Sequence, residues 1–151
     1  MEYQLNLLKT TRQNALDLTQ DLNTEQLNLI PTGFNNNLIW NLGHMVVTQQ
    51  LLCYRLAGQR GHVSDDWIAR YRKGSRPEEV VAQAEIEAIR EALRTTSDQF
   101  MQDYEAGIFK TYNTYTTSYN ATLSTVEEAF IFNNLHEAMH YGTMLTLKKL
   151  V

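Results

Sequence analysis

The residues best suited to chemistry lie near the end of the chain. His136 and His140 are four residues apart within a stretch of helix-forming residues. At about 100° per residue, this spacing leaves the two rings only about 40° apart around a helix and one turn apart along it. Both imidazoles can therefore reach one point beside the helix, as two ligands of a metal ion that still needs a third.

The helical face that carries the two histidines is expected to point inward. Ala129, Asn133, Thr143 and Leu147 continue the same stripe along the helix. A stripe of this kind favours burial over the alternative of two unrelated histidines, one of them in solvent. Since an unpaired buried polar ring is costly, inward-facing histidines need a partner.

The stretch His136-Glu137-Ala138-Met139-His140 also matches H-E-x-x-H, the helix signature of zinc proteases in which the glutamate is the general base. Those enzymes take their third ligand from downstream, but the chain after His140 contains no His, Asp, Glu or Cys. The third ligand must therefore come from upstream. Glu137 is the candidate catalytic residue, because it lies about 100° from His136 and about 60° from His140 around the helix. The alternative for Glu137 is a surface or interhelical carboxylate.

Two histidines remain as the third ligand. His44 lies on an apolar stripe with Trp40 and Val47, whereas His62 follows Gly61 in a polar connection. A single histidine on an apolar face is more often a core residue than a ligand, but together with His136 and His140 it is the better candidate. Three neutral imidazoles with open positions suit a catalytic divalent metal, Zn²⁺, Ni²⁺ or Fe²⁺.

Other polar residues near the three histidines have more open roles. Asn41, one turn before His44, and Asn133, one turn before His136, could hydrogen-bond the ligand rings. Either could instead face a water or a neighbouring helix. Cys53 is about 13 Å beyond His44 along an ideal helix, so it is not expected to join the site.

Four amphipathic helices must position these residues. Apolar residues recur at helical spacing in four segments, joined by two long polar connections at about 59–75 and 104–123, the second with a possible short strand pair. The helices are expected at about 2–22, 35–58, 75–100 and 124–150. The pattern predicts an all-α four-helix bundle with long crossover connections, a single domain over residues 1–151.

Capping signals define where these helices begin. Ser75-x-x-Glu78 and Ser124-x-x-Glu127 both read as capping boxes, which predicts that the third and fourth helices start there. Thr24 is the expected N-cap of one short turn after the first helix.

Composition limits the partners of the protein. The 151 residues carry a formal charge of −4 without a run rich in Lys or Arg, which argues against nucleic acid. No apolar run is long enough to cross a bilayer, and the N-terminus lacks the basic and apolar blocks of a signal peptide, so we expect a cytoplasmic protein with no membrane partner. The single cysteine, Cys53, cannot form an intramolecular disulfide.

The sequence resembles the DinB/YfiT-like superfamily of candidate metalloenzymes. The resemblance rests on Trp-Asn-Leu-Gly-His at 40–44 and Leu-His-Glu-Ala-Met-His-Tyr-Gly at 135–142, and it covers essentially the whole chain. It implies a four-helix bundle with a divalent-metal site at His44, His136 and His140, and often a homodimer. Where a second histidine commonly precedes the ligand in the second helix, this chain has Asn41.

The resemblance leaves three functions open. Some members are transferases that use a low-molecular-weight thiol, which a metal can activate for attack on an electrophilic small-molecule substrate. The second function is a metal-dependent hydrolase with metal-bound water as nucleophile and Glu137 as base. The third is a non-enzymatic stress-response bundle that the metal stabilises. Because an incompletely coordinated metal is more often catalytic than structural, the sequence favours an enzyme, with the thiol transferase first.

Overall fold

The computed structural model describes all 151 residues and is built from six α-helices and one short β-hairpin. The helices are α1 (Glu2–Thr19), α2 (Thr24–Asn28), α3 (Leu38–Gln49), α4 (Asp65–Tyr71), α5 (Gln83–Glu105) and α6 (Val126–Leu147). The hairpin consists of β1 (Tyr115–Thr116) and β2 (Thr122–Leu123), which pair antiparallel with Tyr115 opposite Leu123.

The four long helices form a bundle, as the sequence predicts. Helix α1 packs against α5 and α6, and α3 packs against the same two helices. This arrangement places α1 diagonal to α3, so the two helices that carry the histidines, α3 and α6, are direct neighbours. None of the helices combines the length and the hydrophobicity that a bilayer crossing requires.

Helix α3 runs through the middle of the protein. Every residue from Leu38 to Val47 is buried, because apolar side chains face its neighbours on all sides. The helix continues as a π-helical turn (Gln50–Tyr54) and a 3₁₀ turn (Arg55–Ala57), and it ends at Gly58, whose φ of 70° closes the last turn. Single π-helical turns inside α-helices are frequent at functional sites.

The connection at residues 59–75 contains a helix that the sequence analysis missed. Ser64 caps α4 by accepting a hydrogen bond from the backbone N–H of Trp67. Helix α4 lies close against α3 at Gly43, where a Cβ atom would come within 2.6 Å of the Tyr71 ring. The glycine therefore allows a close approach that places the Tyr71 backbone next to His44.

Three predicted helix starts are wrong in detail. The Ser75 hydroxyl donates to the carbonyls of Arg70 and Arg72, and α5 begins only at Gln83. The cap of α2 is Asn23, which forms a capping box with Gln26. The capping of α6 is shifted by one residue, from Ser124 to Thr125. For α2 and α6 a neighbouring side chain caps the same backbone groups, whereas α5 begins after Ala82 without a side-chain cap.

Candidate metal centre

Three histidines from two helices converge on one point of the bundle. His44 lies in the middle of α3, and His136 and His140 lie on successive turns of α6. The ligand nitrogens of the three side chains all lie within 4.8 Å of one another. The Nε2 atoms of His44 and His136 are 3.2 Å apart, and the ring centroids of His44 and His140 are 4.6 Å apart. The structure thus brings the three predicted ligands together.

The backbone of α4 orients the His44 ring. Its Nδ1 hydrogen-bonds the carbonyl oxygen of Tyr71, which can only accept. Nδ1 therefore carries the proton, and Nε2 keeps its lone pair for the centre of the cluster. The Thr48 hydroxyl lies 3.3 Å from Nε2, and Trp40 stacks on the ring at a centroid distance of 4.5 Å and an interplanar angle of 12°.

Asn41 orients the His140 ring in the same way. Its amide nitrogen donates to the carbonyl of Asn37 and to Oδ1 of Asn36, which leaves its own Oδ1 as the acceptor. That oxygen lies 2.8 Å from Nδ1 of His140, so Nδ1 donates and Nε2 is left with a lone pair. Of the roles left open for Asn41, the hydrogen bond to a histidine ring of the cluster is the one observed, although the ring belongs to α6 and not to its own helix.

His136 is the least constrained of the three rings. Its Nδ1 is buried without a hydrogen-bond partner, while its Nε2 faces His44. Asn133, for which a bond to this ring was one of the open roles, instead donates to Oε1 of Glu137. Only packing therefore holds the His136 ring, and its Nε2, in the cluster.

Burial lowers the pKa of all three imidazoles. The pKa of His136 falls to about 2, because desolvation and then the neighbouring His140 and His44 disfavour its protonation. For His140, burial and then His44 lower the pKa to about 4. For His44, burial lowers the pKa and the bond to the Tyr71 carbonyl partly opposes this. All three rings are therefore neutral at pH 7, the form that binds metals.

These donors are compatible with a divalent metal ion. Two imidazole nitrogens bound tetrahedrally to one ion at about 2.0–2.1 Å lie about 3.3 Å apart. The separation between Nε2 of His44 and Nε2 of His136 is 3.2 Å. Three protein ligands leave at least one position for an exogenous molecule, and imidazole donors suit Zn²⁺, Ni²⁺ and Fe²⁺ alike.

A cavity of about 490 Å³ opens at the three histidines. Its walls are mostly apolar and aromatic, and they come from the π-helical turn after α3, from α6 and from the β-hairpin with its turn. The lining residues include Leu51, Leu52, Arg55, Lys73, Phe132 and Met139. The volume is within the usual range for a small-molecule site.

The chain matches the model of the DinB superfamily over residues 7–144, a span that includes all three histidines. It belongs to the DinB superfamily. Comparison with curated proteins gives no significant match. The family resemblance noted in the sequence is thereby confirmed, together with its helical-bundle fold.

In this DinB protein, Glu137 does not face the cavity. It is fully buried, and both of its carboxylate oxygens accept hydrogen bonds from Arg12, at 2.9 Å from Nε and 2.7 Å from Nη2. The step of about 100° from His136 to Glu137 turns the carboxylate toward α1 and not toward the metal centre. These contacts do not support the expectation that Glu137 flanks the metal.

Arg12 is the buried residue that the sequence analysis missed. Besides Glu137, its guanidinium reaches Thr96 on α5 and Gln49 on α3, so this one side chain joins all four long helices. The signal was its position: Arg12 follows Leu8 by four residues and precedes Ala15 by three, on the inner face of α1. An arginine on such a stripe requires a buried acid as its partner.

His62, the alternative third ligand, lies elsewhere in the DinB bundle. Its Nε2 is 2.8 Å from Oδ2 of Asp103, and the same oxygen accepts a hydrogen bond from the hydroxyl of Tyr54. The preference for His44 over His62 in the cluster agrees with this placement.

Proposed function

We propose that this DinB protein is a metal-dependent transferase that activates a small thiol for attack on an electrophilic small molecule. The observation that carries the proposal is the meeting of three neutral, inward-facing imidazoles with one cavity of small-molecule size. His44, His136 and His140 would hold the metal through Nε2. A divalent ion bound there would supply the positive charge that keeps a coordinated thiol deprotonated at neutral pH.

Residues around the three histidines orient the rings and surround the cavity. The Tyr71 carbonyl and the Asn41 amide oxygen fix the tautomers of the His44 and His140 rings, so that neither of these two rings must reorient when a metal binds. The apolar part of the wall lowers the polarity around the reacting groups, which strengthens the electrostatic interactions between them. In the reaction, the S–H bond is lost with its proton passing to solvent, and the sulfur forms a bond to the electrophilic carbon as the leaving group departs with its electron pair.

The chemistry of the cavity wall favours a thiol over water as the nucleophile. The hydrolase alternative places a carboxylate base near the attacking water, yet the residues that line the cavity include no Asp or Glu. The one candidate base, Glu137, has both oxygens bound by Arg12. A free thiol has a pKa of about 8.5 and so needs far less help to ionise than water does.

The test begins with the metal content of the purified protein, followed by an assay of the metal-loaded form. We would follow loss of free thiol with 2-mercaptoethanol, cysteine or glutathione as nucleophile and 1-chloro-2,4-dinitrobenzene as electrophile. The proposal expects faster loss with the loaded protein than with the metal-free protein or with His140→Gln. Equal rates would contradict it.

Two other outcomes correspond to the alternatives. Hydrolysis of 4-nitrophenyl acetate by the loaded protein, without thiol consumption, would favour a metal-dependent hydrolase. A metal that raises the melting temperature while neither reaction is accelerated would favour a non-enzymatic, metal-stabilised bundle.

A further inference from the structure

The charged residues that line the cavity are all basic. Arg55 and Lys73 both contribute to its wall, and no carboxylate does. The whole chain, by contrast, has a formal net charge of −4. Cations that line an apolar cleft raise the local concentration of anions there. The charges of the lining residues are therefore opposite in sign to the net charge of the chain.

The two cations lie at opposite ends of the cavity. Arg55 follows His44 by eleven residues on the same continuous helix, a distance of about 16 Å at about 1.5 Å per residue. Lys73 is two residues after Tyr71, and the carbonyl of Tyr71 binds His44. Lys73 therefore lies at the histidine end of the cavity. Apolar residues fill the wall between the ends: Leu51 and Leu52 on the α3 side, Phe132 and Met139 on α6.

Arg55 is free to bind a ligand. Its guanidinium makes one ion pair, at 3.4 Å to Asp65, and the two side chains are 64% and 91% exposed. Exposed pairs of this length are worth little and are easily exchanged. The planar fork of an arginine matches a carboxylate with two parallel hydrogen bonds, a geometry that a lysine lacks.

We infer that the cavity takes an elongated carboxylate, whose carboxyl group binds Arg55 and whose apolar body extends along the wall toward the three histidines. This ligand would be either the thiol or the electrophile of the proposed reaction, and to that extent the inference rests on the proposed function. It assigns Arg55 as a specificity-determining residue about three helical turns from the metal centre.

The first experiment uses the metal-free protein and two probes that differ only in charge, octanoate and octanamide, with binding measured by calorimetry. We expect octanoate to bind the native protein about tenfold more tightly than octanamide, as is typical of a charge-assisted hydrogen bond. Arg55→Gln should remove this difference, and Arg55→Lys should retain only part of it.

Two matched controls separate the guanidinium from its surroundings. Asp65→Asn removes the same ion pair but keeps Arg55, so octanoate affinity should be unchanged or higher. Arg60→Gln removes an exposed arginine outside the cavity wall and should have no effect. Equal affinity for the two probes, binding of neither, or an Arg55→Gln variant that still prefers octanoate would overturn the inference.

The second experiment tests orientation in protein loaded with Co²⁺. The paramagnetic ion should relax the terminal methyl protons of octanoate faster than the protons next to its carboxylate, because the carboxylate lies at the remote end. Faster relaxation beside the carboxylate would contradict the orientation. If Co²⁺ fails to bind, the proposed metal-dependent function fails, while the result with the metal-free protein still decides whether Arg55 binds a carboxylate.

Discussion

Oδ1 of Asn41 on α3 lies 2.8 Å from Nδ1 of His140 on α6. The bond crosses the interface between the two helices that carry the histidines, and it fixes both the tautomer and the angle of the His140 ring. It couples the geometry of the histidine cluster to the packing of α3 on α6. Asn41 therefore acts on the histidine cluster through its hydrogen bond to the His140 ring.

Removing the Asn41 oxygen should weaken metal binding. For Asn41→Ala we expect a loss of Zn²⁺ affinity of about 10- to 100-fold, the usual effect of losing an outer hydrogen bond to a ligand ring. Asn41→Asp retains an acceptor and should keep most of the affinity. Competition with a chromophoric chelator measures both. Asn28→Ala removes a half-buried amide that bonds the Val81 backbone and no histidine, and it serves as control, with altered stability but unaltered affinity.

Replacing any one of the three histidines should reduce metal affinity more than Asn41→Ala does. We expect His44→Gln, His136→Gln and His140→Gln each to lose more than about 100-fold, beyond the range typical of outer-shell changes. His62→Gln is the matched control, because His62 pairs with Asp103 outside the cluster. Metal analysis after dialysis against a weak chelator is the measurement. Retention of one metal per chain by all three cluster variants would contradict this site.

Glu137→Gln should lower the free energy of unfolding but have little effect on the reaction rate. It leaves the Arg12 guanidinium buried without its counter-charge, which typically costs about 3–5 kcal/mol in the free energy of unfolding. Urea denaturation measures the loss. The matched surface variant Glu91→Gln breaks an exposed pair with Arg94 and should cost less than about 1 kcal/mol.

The same Glu137→Gln variant also tests the role of the glutamate as a base. We expect the folded fraction of the metal-loaded variant to consume thiol as fast as the metal-loaded native protein does. A variant that keeps native stability but loses ester hydrolysis would show that Glu137 serves as a general base after all.

Two glycine variants should have opposite effects. Gly43→Ala places a Cβ within 2.6 Å of the Tyr71 ring, so α4 must shift and the Tyr71 carbonyl with it. We expect a loss of about 1–3 kcal/mol and weaker metal binding, since His44 loses its orienting partner. Gly142→Ala on α6 meets nothing within 4 Å and should stabilise the helix by up to about 1 kcal/mol. Thermal unfolding and metal titration of both variants check this pair.

The sequence by itself determined the features that depend on local spacing. The four-residue interval between His136 and His140 places both rings on one face of α6 because helical geometry is fixed by backbone hydrogen bonds within the helix. The apolar stripe around His44 marked it as buried for the same reason. The long helices and the bundle followed from periodicity in the same way.

Only the tertiary structure decided which groups meet across helices. The sequence did not show that Asn41 binds His140, that the carbonyl of the unforeseen α4 orients His44, or that Arg12 takes both oxygens of Glu137. These pairs lie between 27 and 125 positions apart in the chain. Their contacts depend on how close two helices approach and on which polar groups are buried between them, and packing sets both.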